Sequence, residues 1–207
     1  MNHQNTAEIL PLLGTAMDGG FYAGRIRLDD GTVYALIVAP KAKGEKKTRQ
    51  WIGGYKDVPG ARSYNDGLAN TNAMAEAGSK LAKWARDLLI GGHDDWYLPS
   101  QEELEIIYRN LKPTNQENYC RSRNGINLSA IEPTRPYTPT FPAQTLAEAF
   151  QEGGEQALEA HWHWTSTQYI SNTEAAWCQN FNDGYQDYGY TDLQLRARAV
   201  RRIEVAQ

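Results

Sequence analysis

An α+β fold is predicted by three observations along the 207 residues. Near the N-terminus, an Asp29-Asp30-Gly31 turn separates a period-two alternating run from a buried apolar run. In the middle, two stretches repeat apolar residues at helical spacing, and strand-like runs return towards the C-terminus. A single domain over residues 20–207 follows. Residues 1–19 are expected to be a leader or linker, because Pro11, Gly14, Gly19 and Gly20 interrupt any pattern there.

The elements follow in chain order. Tyr22, Ile26 and Leu28 share one parity, with Arg25 and Arg27 on the other, and Val33 to Val38 is a buried run. Together they predict an N-terminal β-hairpin. Residues 41–49 hold Lys41, Lys43, Lys46, Lys47 and Arg49, and read as a solvated basic loop because no aromatic residue is interleaved. Residues 51–55 suggest a short strand or edge. Met74, Ala77, Leu81, Trp84, Ala85 and Leu88 predict one long helix over 66–89, stopped by Gly91-Gly92. Ser100-Gln101-Glu102-Glu103 is a capping box that starts a second helix, with Leu104, Ile107, Tyr108 and Leu111 as its buried stripe and Pro113 as its end. A long irregular segment, 112–142, carries five prolines. Residues 145–160 suggest a short helix broken at Gly153-Gly154. The last part reads as an antiparallel β-meander: 162–167, then 175–181 turning at Asp183-Gly184, then one strand over 196–205.

Composition excludes several classes of function. Charged residues make up 22% and the net charge is −4, which argues against a nucleic-acid binder. No apolar run approaches the ~20 residues of a membrane span. The N-terminus lacks a basic n-region, so synthesis in the cytoplasm without a signal peptide is expected. Cys120 and Cys178 lie too far apart in sequence for a zinc pair and read as two free thiols, with a single long-range disulfide as the alternative.

Few residues suggest chemistry. His161 and His163 are spaced as a possible zinc pair, but no third ligand is apparent. Asn180, Asn182, Asp183, Asp187 and Asp192 offer oxygens to calcium without the spacing of a calcium loop, so no cofactor is expected. No nucleophile motif or phosphate loop occurs, and the expected protein is not an enzyme. The unusual feature is the abundance of twelve Tyr and six Trp beside four Phe. Three of the tyrosines fall in 180–192, among Asn, Asp and Gly. Tyr offers large contact area at small entropic loss, and Asn and Asp adapt their hydrogen bonds. The candidate ligand-binding residues are Asn180, Asn182, Asp183, Tyr185, Asp187, Tyr188 and Tyr190, on a loop.

Several motifs carry a family resemblance. Asp95-Trp96-Tyr97-Leu98-Pro99-Ser100 with Glu103-Leu104, Trp164-Thr165-Ser166-Thr167, Ala176-Trp177, Asn180-Phe181 and Arg198-Ala199-Val200-Arg201-Arg202 occur in the order of the Lcl C-terminal domain family, which the chain resembles over roughly 20–205. Residues 21–85 further resemble versions encoded in Mu-like prophages near tail genes. The resemblance implies a C-type-lectin-like fold and a binding module for a host surface glycan or protein. Phage tail proteins are then possible partners, with a virion-tail location and a homotrimer if the chain sits on a tail fibre. An intracellular prophage protein acting on a host system is the alternative. A formylglycine-generating enzyme is the weaker one, because Cys120 and Cys178 do not match its closely spaced cysteine pair. Glu132-Pro133-Thr134 and Phe181-Asn182-Asp183 match the boxes of calcium-dependent lectins only in part.

Overall fold

The computed structural model describes residues 10–121, 124–132 and 137–206. In chain order the strands are β1 (Ala16–Met17), β2 (Gly20–Arg27), β3 (Val33–Val38), β4 (Glu45–Arg49), β5 (Ala130–Ile131), β6 (Trp162–Gln168), β7 (Ala175–Asn180), β8 (Gln186–Tyr190), β9 (Leu195–Arg198) and β10 (Val200–Glu204). The helices are α1 (Lys41–Gly44), α2 (Gly67–Glu76), α3 (Lys80–Arg86) and α4 (Gln101–Leu111). The fold is α+β.

Two five-stranded sheets organise the described residues. One has the order β1-β2-β3-β10, with β5 added to β2, and the other has the order β4-β9-β6-β7-β8. The predicted hairpin is β2–β3, with a register shift between Tyr22 and Gly24. Ala16 and Met17, from the stretch read as a leader, pair with Phe21 and Gly20.

The single strand expected over 196–205 is instead two strands in different sheets. Its five central residues, Ala197 to Arg201, are all buried, because the chain passes between the two sheets at Ala199. Ala199 N–H donates to Gly44 O at 2.8 Å, and Val200 exchanges 2.8 Å bonds with Tyr97. Arg198 lies at this crossing with its side chain fully buried. Its guanidinium donates to Glu45 Oε2 at 2.8 and 3.2 Å and to the carbonyls of Ala39 at 3.0 Å and Ala157 at 3.2 Å.

The long helix expected over 66–89 is also two elements. Asp66 caps α2 by accepting from Ala69 N–H at 3.0 Å. Gly78 then takes a φ of +99°, which an L side chain disfavours. Ser79 restarts the chain as the cap of α3, accepting from Ala82 N–H at 3.2 Å. α3 ends at Arg86, before Gly91-Gly92. Those glycines form a tight turn closed by the Ile90–His93 pair.

α4 begins as predicted, with Ser100 and Glu103 capping each other. Leu104, Ile107, Tyr108 and Leu111 are buried in one core cluster with residues of β2 and β3. The opposite side of α4 is covered too, so Glu102, Glu103 and Glu105 are buried as well. Glu103 accepts from Ser100 N–H at 2.7 Å, Gly67 N–H at 3.1 Å and the Tyr97 hydroxyl at 2.7 Å. Burial raises its pKa despite these donors.

Three further expectations change. Residues 41–49 form α1 and β4 where a loop was expected; Lys41 pairs with Glu159, and the Lys46 ammonium lies 5.1 Å from the Trp84 ring centroid. Residues 51–54 form bends where a strand or edge was expected, with Trp51 and Ile52 buried. The helix expected over 145–160 shrinks to a 3₁₀ turn, Glu148–Phe150. Gly154 packs so tightly that a Cβ there would lie 2.5 Å from Ala149 O. The irregular segment is held by side chains. Asn118 donates to Thr138 O at 3.1 Å and Pro142 O at 2.9 Å, and accepts from the Tyr108 hydroxyl at 2.7 Å. These bonds tie the segment to α4 where no strand of a sheet runs. Pro133 and Pro136 lie outside the described residues, as does most of Glu132-Pro133-Thr134.

Candidate functional site

Residues 180–190 form a hairpin turn followed by a strand, where a loop was expected. β8 pairs with β7 through Gln179↔Gln186, Trp177↔Tyr188 and Ala175↔Tyr190, and is the outermost strand of its sheet. Alternation along a strand places Tyr188 and Tyr190 on one face and Asp187 and Gly189 on the other. The predicted site is thereby divided.

Several predicted contact residues shape the backbone. Asn180 Oδ1 accepts from Asn182 N–H at 3.0 Å, and Asp183 Oδ1 accepts from Tyr185 N–H at 3.1 Å. Asn182 O accepts from the Thr114 hydroxyl, and Asp183 O from Tyr119 N–H at 2.8 Å. Asp187 Oδ1 accepts from Tyr188 N–H at 2.8 Å, and Asn124 Oδ1 accepts from Gln186 N–H. Side chains thus occupy two outward donors of an edge strand, a device that blunts pairing with other chains.

The aromatic residues form two groups. Tyr185 is half-buried on the Asp187 side, with its ring centroid 4.2 Å from Tyr119 and 5.5 Å from Trp162. Burial first, and then the Asp187 carboxylate, raise its pKa. On the other face the Tyr188 ring stacks on Tyr169 at 4.1 Å with an interplanar angle of 7°. Trp177 stands edge-on to Tyr188 at 6.2 Å. Tyr190 makes an edge contact with Tyr55 at 6.3 Å, and the Tyr55 hydroxyl donates to Asp192 at 3.2 Å. Tyr188 is 47%, Tyr190 53% and Tyr55 54% exposed, so rings and not turn amides meet solvent here. Ile170 and Leu193 are exposed nearby in the sequence.

Tyr55 and Tyr169 are contributors that sequence reasoning missed. Tyr169 follows β6 directly, and its N–H donates to Ala175 O at 2.9 Å, so the run of β6 was its only signal. No local pattern links Tyr55 to residue 190. A cleft of about 580 Å³ is lined by Leu12, Asn110 and Leu146 among others, and by none of the predicted site residues.

The metal and thiol candidates separate. Among the described residues, no three His, Cys, Asp or Glu side chains converge on a metal site. His161 is exposed and His163 buried. His163 Nδ1 lies 2.9 Å from His161 O, while Nε2 has no hydrogen-bond partner among the described residues. Burial pushes the His163 pKa down to about 3, and Arg198 and Arg196 add to the effect. The unfolded chain therefore binds a proton at this residue between about pH 6.5 and pH 3 that the folded chain does not. Stability should be complete above pH 6.5 and fall by about 2–3 kcal/mol on acidification to about pH 4. Urea denaturation across that range checks this. His163→Leu should flatten the slope, and an unchanged slope would assign the acid sensitivity elsewhere.

Both cysteines are free thiols. Cys178 is buried, and its thiol donates to Asp187 O at 3.4 Å; burial raises its pKa far above the ordinary thiol value. Cys120 is exposed and its pKa is also raised. A reactive thiolate needs the opposite shift.

Residues 46–201 match the family model of the Lcl C-terminal domain, and the chain belongs to that family. No curated protein matches the chain. The motif residues Trp96, Leu98, Ser100, Glu103, Trp164, Trp177 and Val200 are all buried, so the signature describes a framework.

Proposed function

We propose that the chain is a C-type-lectin-like, non-enzymatic ligand-binding domain of phage or prophage origin that recognises a host surface glycan or protein. The observation that carries this reading is the exposure of Tyr188 and Tyr190 on a strand whose backbone is ordered by other groups. Solvent-facing aromatic rings on a rigid element provide contact area at little entropic cost. The lectin-like reading is supported by β10 lying beside β3 of the N-terminal hairpin, so that the two ends of the domain pair. The raised pKa of both thiols favours binding over thiol chemistry. Attachment to a phage tail, as a trimer on a fibre, is the setting proposed for such a module.

The test is binding to a glycan array and to host envelope proteins, using wild type and Tyr188→Ala/Tyr190→Ala. The double variant should bind at least about tenfold more weakly, as loss of central aromatic contacts does. Its melting temperature should stay close to wild type, because both rings are about half exposed. Undiminished binding would remove β8 as the recognition surface.

A further inference from the structure

We propose that the occupant of this surface is a cationic segment of a partner protein, with an Arg or Lys side chain seated in the corner between the Tyr55 and Tyr190 rings. The inference rests on β8 being the recognition surface and names what that surface takes. The two rings meet at 67° with centroids 6.3 Å apart, and both are more than half exposed. The faces of such rings carry the negative part of the aromatic quadrupole and attract cations, guanidinium groups in particular.

The segment that carries Tyr190 is acidic throughout. From Tyr169 to Leu195 the chain contains no Lys or Arg and carries Glu174, Asp183, Asp187 and Asp192. Asp192 accepts from the Tyr55 hydroxyl at 3.2 Å. That bond and the charges of Asp192 and Glu174 raise the pKa of the Tyr55 hydroxyl, so both carboxylates act on this ring. Lys56 follows Tyr55 in sequence, but its ammonium donates to Ala77 O at 3.0 Å.

The hydrogen-bonding inventory points the same way. An ionised carboxylate only accepts. A guanidinium or ammonium only donates, whereas a sugar hydroxyl needs donors and acceptors together. Beside the corner the Gln50 amide already donates to Asp192 O at 3.2 Å and Asn172 Oδ1 already accepts from Glu174 N–H at 3.0 Å, and Asn180 and Asn182 belong to the turn at the other end of β8. An anionic glycan would meet like charge at Asp192 and Glu174.

The experiment titrates the full chain, with labelled tyrosine rings observed by NMR, against an oligoarginine peptide and separately against maltoheptaose. The peptide should shift the Tyr55, Tyr188 and Tyr190 resonances, and binding should weaken steeply between about 0.02 and 0.5 M salt. Glu174→Gln/Asp192→Asn should weaken the peptide about tenfold while leaving the fold intact, since Glu174 and Asp192 are exposed. Ring shifts with maltoheptaose alone would overturn the cationic occupant and leave β8 as a glycan-binding surface. Peptide binding that ignores the double variant would also overturn it. Shifts with neither probe would overturn the cationic occupant, and the envelope-binding comparison of Tyr188→Ala/Tyr190→Ala would then decide the surface separately.

Discussion

Arg198→Met is expected to destabilise the protein by about 3–5 kcal/mol, the usual cost of breaking a buried ion pair from one side. The substitution leaves the 4%-exposed Glu45 carboxylate with Arg196 Nη1 at 3.1 Å as its remaining ion-pair partner. It also removes the donors to Ala39 O and Ala157 O, and unpaired buried carbonyls are costly. The double variant Glu45→Met/Arg198→Met should be less destabilised than Arg198→Met, because no buried charge is left behind. Equilibrium urea unfolding measures both. A loss below about 1 kcal/mol for Arg198→Met would mean that water replaces the guanidinium and that this cation does not hold the sheet crossing together.

Gly184→Ala is expected to cost about 2–4 kcal/mol, combining an unfavourable left-handed conformation with overpacking. Gly184 has a φ of +78°, and a Cβ there would lie 2.4 Å from the Tyr108 ring. That ring cannot retreat easily, because it is buried and its hydroxyl is bound to Asn118 at 2.7 Å. Gly53→Ala is the control: nothing lies within 4 Å of its Cβ position, so its stability should stay within about 0.5 kcal/mol of wild type. Urea unfolding separates the two substitutions. Equal stabilities would show that the β7–β8 turn does not need its close approach to α4.

The parts of this fold that were legible in the sequence are those whose cause is local. Ser100 and Glu103 lie three residues apart and cap one another, so the start of α4 was visible. Asp29-Asp30-Gly31 joins an alternating run to a buried one, so β2–β3 was visible too. The apolar spacing across 66–89 hid the break at Gly78, because α2 and α3 bury side chains in the same core cluster and one periodicity runs through both. The division of 196–205 between two sheets depends on Arg198 and Glu45, far apart in sequence. The candidate site followed the same rule. Its tyrosine richness was visible, whereas its facing was not, since strand pairing with β7 determines which rings share a side. Tyr55 reaches Tyr190 only through the completed fold.

The hydrogen bonds of the β7–β8 hairpin have a consequence for how the domain can change. Gly184, Asp183, Asp187 and Asn124 shape its backbone, whereas the Tyr188 and Tyr190 rings are about half exposed. If the surface binds as proposed, exchanging the residues at positions 188 and 190 would change its target while the backbone of the hairpin stays the same.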